Sequence, residues 1–300
     1  MKTLGKIRAM LAVIAALAVM CCSVAFAAES DVDWETNLIT VQGMGSAPNA
    51  PNEFLFRAQS KRAATVDAYR NLLESVKGVE VEGGTTINNL MLDAGGDTVS
   101  THVKGVVNGA RVVDTQYVNG GCIVTVQMPI FGSGNSLAKA VMPRNTSVES
   151  FPAPVKNVEP TVTAVRVNVA VGNNVPLIPA QPTQVAPKGR AYGQYTGLIV
   201  DCRGLGLSPC MSPVLRDDGG TPIYGYKNID PDKVNEVGMV AYTSNPANAR
   251  RAGSDPLVVK AIGLDNHNSN PIISVADATR VLMENQATGF LDATNVVFLR

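Results

Sequence analysis

The chain predicts an α+β fold: a long helix packed on an antiparallel sheet, a proline-rich connection, and a second α+β unit. Three observations lead there. An amphipathic stretch runs from Asn52 to Gly78, and strand-like segments closed by Asn-Gly turns surround it. Prolines then crowd between Phe131 and Arg190, where eight of the 18 in the chain exclude a continuous helix.

The helix is the clearest element. Asn52 can accept from a free first-turn amide and Gly78 can end the run. Between them Val66, Tyr69, Leu73 and Val76 recur at steps of three and four and form the expected core stripe. Leu72 widens that stripe, and Leu55 and Ala58 extend it backwards. Glu53 with Arg57, Asp67 with Arg70, and Arg70 with Glu74 stand at the spacing of ion pairs on a wet face.

Ahead of the helix, Leu38 to Gly43 alternates as a strand does. Gly43 and Gly45 follow, but a dinucleotide fingerprint needs a third small residue where Pro48 stands, so they read as a turn leading through Pro51 into the helix. Behind the helix, Val79 to Glu82 and then Thr85 to Asn88 read as strand, and a glycine-rich loop follows at Gly95 and Gly96. Val99–Val107, Arg111–Tyr117 and Cys122–Ile130 read as further strands, separated by Asn108-Gly109 and Asn119-Gly120-Gly121; the last two form a hairpin.

In the proline-rich part, Val165, Val167, Val169 and Val171 alternate with Arg166, Asn168 and Ala170, which predicts one docked strand inside a linker. Tyr195 to Gly225 then reads as a strand, a turn-rich crossing and a hairpin. Asp230-Pro231-Asp232 opens a short helix, and Val237–Tyr242, Pro256–Leu264 and Asn295–Leu299 are strands. Ser274 and Asp277 have capping-box spacing ahead of Val275, Ala278 and Leu282, one apolar helix face. The expected division is 1–27 signal peptide, 28–132 first domain, 133–192 linker, and 193–300 second domain.

The first residues give an address. Lys2, Lys6 and Arg8 precede an uncharged run from Ala9 to Ala28, and Ala25-Phe26-Ala27 is a cleavage pattern, so the mature chain is expected to begin near Ala28. Cys21 and Cys22 raise a lipid anchor, but the position before the cysteine wants a small residue, and Met20 and Cys21 fill it. Taking Lys2, Lys6 and Arg8 from the 25 basic residues leaves 22 against 25 acidic ones, a net charge of about −3. That balance offers no basic field for nucleic acid. Of the five cysteines Cys122, Cys202 and Cys210 survive cleavage; Cys202 and Cys210 are the candidate disulfide in an oxidising compartment, and Cys122 opens a strand interior.

At about 38–132, the strings TVQGMGSAP, RAQSKRAATVDAYRNLLESVKGVEVEGGTTI and KGVVNGARVV with a closing hairpin resemble the Lpp-twenty surface lipoprotein family. The N-terminal domain of the flagellar assembly protein T (FlgT) looks similar. The resemblance implies an envelope protein with an α+β module that binds other proteins, with no catalytic residue to carry over. The tail from Tyr195 resembles sequence that accompanies such modules in secreted bacterial proteins. The family's lipoproteins carry a proper lipobox, which this chain lacks.

Chemistry is sparse. His102 and His267 have no partner at metal-ligand spacing, and no GxSxG, HExxH or paired CxxC occurs. Asp201 with Arg203, at the end of an apolar strand, is the best enzyme candidate; a local ion pair explains the two equally simply. Asp217 with Asp218, or Asp230 with Asp232, could ligate calcium, but the remaining oxygen ligands are absent from both loops. The expectation is therefore no catalytic, cofactor or metal site. The leading reading is a non-catalytic exported protein, periplasmic or outer-membrane associated, that assembles with itself or another envelope protein, with surface or flagellar association as its finer form. The alternatives are a small-ligand or calcium-binding module, and an envelope hydrolase using Asp201.

Overall fold

The computed structural model describes residues 31–93, 96–118, 120–142, 147–155 and 190–300. The expected signal peptide and the Val165–Val171 strand lie outside the described residues. The fold is α+β, as expected.

Strands β1 (Asp31–Asp33), β2 (Leu38–Gly45), β5 (Arg111–Val118) and β6 (Gly121–Pro129) form an antiparallel sheet in the order β1-β2-β6-β5. Helix α1 (Glu53–Lys77) lies across one face. Its start is fixed as expected: the Asn52 side chain accepts from Leu55 N at 2.8 Å, and Gly78 follows the last turn.

The face that α1 buries differs from the predicted one. Ser60, Ala64, Ala68, Leu72 and Val76 form the buried row, at intervals of four. Val76 belongs to it, and Tyr69 and Leu73 pack at its side, partly buried. Val66, however, is 56% exposed. The cause is the strand beneath. Gly43 and Gly45 are not a turn but the last part of β2, and a Cβ at Gly43 would lie 2.6 Å from Ala68 Cα while one at Gly45 would lie 2.8 Å from Ala63 C. Helix backbone and strand backbone approach so closely that only small residues fit between them. Periodicity of large apolar residues therefore points to the flank of the contact, and the row of Ser and Ala marks its centre.

A second correction falls on Val99–Val107. This stretch belongs to helix α3 (Gly96–Asn108), which buries Val103 and Val107 with Val99 packed beside them. The spacing of four among those valines is helical, and packing overrides their β-branched preference. Strand β3 (Glu80–Glu82) pairs with the two-residue β4 (Thr85–Thr86), after which the chain turns into helix α2 (Ile87–Leu92) instead of continuing as strand.

In the C-terminal half, β10 (Ala241–Thr243), β14 (Val296–Leu299), β7 (Gly197–Asp201) and β11 (Pro256–Lys260) form a sheet in that order with every pair parallel. Leu198, Val200, Val296 and Phe298 are fully buried on β7 and β14, the near-continuous apolar run that a parallel strand covered on both faces requires. A second sheet has the order β12 (Gly263–Asp265), β13 (Asn270–Ile273), β8 (Leu215–Asp217), β9 (Pro222–Tyr224). The single strand expected at Pro256–Leu264 is thus two, serving different sheets. Helix α4 (Leu137–Val141) and helix α5 (Pro231–Val237) are short. Helix α6 (Val275–Thr288) starts on Ser274, whose hydroxyl accepts from Asp277 N at 3.0 Å.

The halves share one apolar core. Met211 N donates to Glu80 O at 2.9 Å and Ser212 N to Val81 O at 2.8 Å, a short backbone ladder across the boundary. Trp34, in the β1–β2 turn, packs edge-on against Tyr242 with ring centres 5.7 Å apart. Beside it Glu35 accepts from the Thr243 hydroxyl and from Asn248 Nδ2. Residues 147–155 run over the C-terminal half, where Phe151 stacks on Tyr224.

Candidate functional site

Asp201, Asp217, Asp218 and Asp230, singled out in the sequence, each have a local task. Asp201 ends β7 and meets Arg203 in a two-pronged pair: Arg203 Nε to Oδ1 at 2.8 Å and Nη2 to Oδ2 at 2.7 Å, with the Arg203 amide also donating to Oδ1. The guanidinium holds the Asp201 carboxyl below its ordinary range. An ionised carboxylate clamped on both oxygens is a poor general acid, and its lone pairs are committed before any substrate arrives.

The paired aspartates are caps. Asp217 accepts from Thr221 N at 2.7 Å within the β8–β9 turn; Asp218 accepts from Val275 N at the start of α6; Asp230 accepts from Asp232 N and starts α5. Among the described residues no group of three or more His, Cys, Asp or Glu could hold a metal ion. His102 is exposed on α3 rather than in a strand, and His267 is exposed in the turn before β13, its ring against Gly84 of the other half.

Cys202 and Cys210, the candidate pair, are free and buried in the structure, as is Cys122. Cys202 follows β7 directly, where its amide donates to Leu299 O, and Cys210 leads into the ladder with Glu80. The Tyr242 hydroxyl accepts from Cys210 N and donates to Cys210 O, which fixes that backbone. Burial pushes both the Cys202 and Cys210 thiols up to about 12, so neither is a nucleophile near neutrality.

What remains is a surface feature that the predicted stripe concealed. Along the flank of α1, Met44, Gln59, Arg62, Ala63, Val66, Asp67 and Arg70 line an open groove of about 500 Å³ beside the outer edge of β2. Met44 and Val66 supply its apolar floor, 44% and 56% exposed. Asp67 Oδ2 accepts from Met44 N at 3.0 Å and Asn71 Nδ2 donates to Gln42 O at 2.8 Å, so side chains of α1 satisfy the strand's outward backbone groups. At the opposite edge, β5 carries a bulge between Val112 and Asp114, and Asp114 Oδ1 accepts from Thr115 N. The bulge interrupts the β5 edge of the sheet, and on the other side the α1 side chains occupy the β2 groups that β1 leaves uncovered.

These elements carry a recognisable module. Residues 41–128 match the LPP20 lipoprotein family. That span opens in β2 and closes near the end of β6, so it takes in α1, the Gly43–Gly45 contact and the groove. Residues 197–300, from β7 to the end of the chain, match the second domain of Treponema pallidum Tp0624. A search of curated proteins gave no match. The matched model is described as a lipoprotein family and covers the N-terminal module. No helix among the described residues is long and apolar enough to cross a membrane.

Proposed function

We propose that the protein is a non-catalytic component of the bacterial cell envelope that works through protein–protein contacts, with itself or with another envelope protein. The observation that carries this reading is the LPP20 match over the sheet-and-helix module. Consistent with it, Asp201, Asp217, Asp218 and Asp230 are spent on an ion pair, a turn and helix caps. A body whose halves share one core suits a rigid spacer or adaptor.

The test is crosslinking in intact cells that express the whole chain from its own start, followed by fractionation of cytoplasm, periplasm and membranes. The expected result is recovery in the envelope fractions with discrete crosslinked species of fixed mass. Recovery in the cytoplasm, or a monomer that forms no crosslink in the envelope, would overturn the proposal. Surface or flagellar association is read from the same cells by protease accessibility and by comparing motile with non-flagellated strains.

A further inference from the structure

Unpaired strand edges invite further strands, and a fold normally breaks or covers them. The bulge breaks the β5 edge, and Trp34 packs on Tyr242 of the edge strand β10. Edge strand β11 has neither device. All of Pro256–Lys260 pairs with β7 in unbroken register, and among the described residues no strand pairs with its other side. Ala261 N donates to Asp201 O at 3.0 Å, and alternate residues of a parallel strand face the same neighbour, so Leu257, Val259 and Ala261 address β7. The Pro256 carbonyl and the N–H and C=O groups of Val258 and Lys260 therefore point outward. Beyond them Ile262 N donates to Ile272 O at 2.8 Å, so β13 takes up that side and bounds the open stretch. Val258, at its midpoint, is 40% exposed, and Lys260 is exposed as well.

We propose that the β11 edge is a self-association surface: a second copy of this chain adds its own β11 antiparallel, about a two-fold axis at Val258, and joins the two parallel sheets into one. The inference rests on the contact-forming role proposed above and names its partner. Symmetry supplies the reason for a second copy. A two-fold at Val258 sets outward residue against outward residue, so that each Val258 N–H reaches the other copy's Val258 O and each Lys260 N–H the other's Pro256 O. The only charge on the stretch, Lys260, falls opposite Pro256, so no like charges meet, and Val258 packs beside its symmetry mate on the exposed face. Such a pairing uses both open edges at once, whereas an unrelated strand would leave its own far side open. Few residues take part, well short of the roughly 20–30 a side of standard interfaces, so the dimer is expected to be weak and strongly concentration-dependent.

The test uses the whole chain, expressed from its own start and purified under reducing conditions. Light scattering after size exclusion follows its mass from about 1 μM to about 500 μM. The expected result is a rise from one chain toward two in the wild type and a constant single-chain mass in Val258→Pro, which removes an outward amide that no described residue uses. Cys122, Cys202 and Cys210 are buried, so Val258→Cys places an accessible thiol at the axis. The paired Cα atoms there would be about 5.5 Å apart, within disulfide reach, and mild oxidation should give at least about tenfold more linked dimer than in Val113→Cys, an exposed position on β5. A wild type that stays monomeric over the whole range overturns the proposal. So does a Val258→Cys chain that links no better than Val113→Cys, even if Val258→Pro does not fold. A dimer that persists in folded Val258→Pro overturns the β11 contact and leaves self-association standing. A monomeric purified chain that crosslinks in cells to a different envelope protein overturns this inference and leaves the reading above intact; no contact of either kind overturns both.

Discussion

Replacing Gly43 by alanine should damage the protein far more than one methyl group suggests. The new Cβ would stand 2.6 Å from Ala68 Cα, with Ala64 O and Ala68 N nearer still, and all three are backbone atoms. No rotamer change relieves such a clash. Ordinary contact begins at about 3.4 Å, so α1 must move off β2 by roughly an ångström, loosening Leu72 and Val76, both fully buried. Forced overpacking of a close contact costs about 1–3 kcal/mol, and this one belongs at the upper end because the helix has to shift as a unit. Urea unfolding of the mature chain, followed by tryptophan fluorescence, measures it. Trp34 is the only tryptophan and lies in the β1–β2 turn of the same sheet. Two companions sharpen the result. Ala68→Gly should not rescue Gly43→Ala, since the obstructing atoms remain. Val66→Ser should stay within about 0.5 kcal/mol of wild type, as an exposed position does. A Gly43→Ala protein of wild-type stability, or a Val66→Ser protein as damaged as a core mutant, would refute the close-contact account of how α1 sits.

Arg251 is a largely buried cation whose guanidinium donates to the carbonyls of Thr294, Val237 and Gly238 and to the Thr294 hydroxyl, and burial lowers its pKa. Arg251→Met strands those acceptors and should cost roughly 3–5 kcal/mol, read by urea unfolding of the C-terminal core. The Cys202 and Cys210 thiols should resist alkylation at pH 8 in the folded protein and react at once in denaturant. Because their folded pKa values, about 12, lie above the ordinary 9.0, the stability they contribute is complete below pH 9 and is lost as pH rises toward 12, which a pH series of melting curves checks. Glu284 is buried on α6 and accepts from the amides of Tyr192 and Gly193, each at 2.8 Å. Glu284→Ala should raise amide exchange at residues 190–195 by about tenfold or more, with little change in β14.

The sequence by itself determined what neighbouring residues decide among themselves. Asn52 and Gly78 bound α1, Ser274 and Asp230 start their helices, the hairpin of β5 and β6 turns at Gly120, and Asp201 finds Arg203 two residues on. The family likeness was legible for the same reason, since its strings are local. Tertiary structure alone decided which side of α1 is buried. That depends on Gly43 and Gly45 meeting Ala64 and Ala68 some twenty residues away, a contact made by the absence of side chains and therefore invisible to a count of apolar ones. It also turned Val99–Val107 into a helix, since Val103 and Val107 find a core there. Cys202 and Cys210, close in sequence, end in separately fixed backbone: one follows the parallel sheet, the other is held by Tyr242. The groove beside β2 follows from the same rotation of α1: once the small row faces the strand, Val66 and Asp67 must come to the edge, and that edge carries both the apolar floor and the carboxylate.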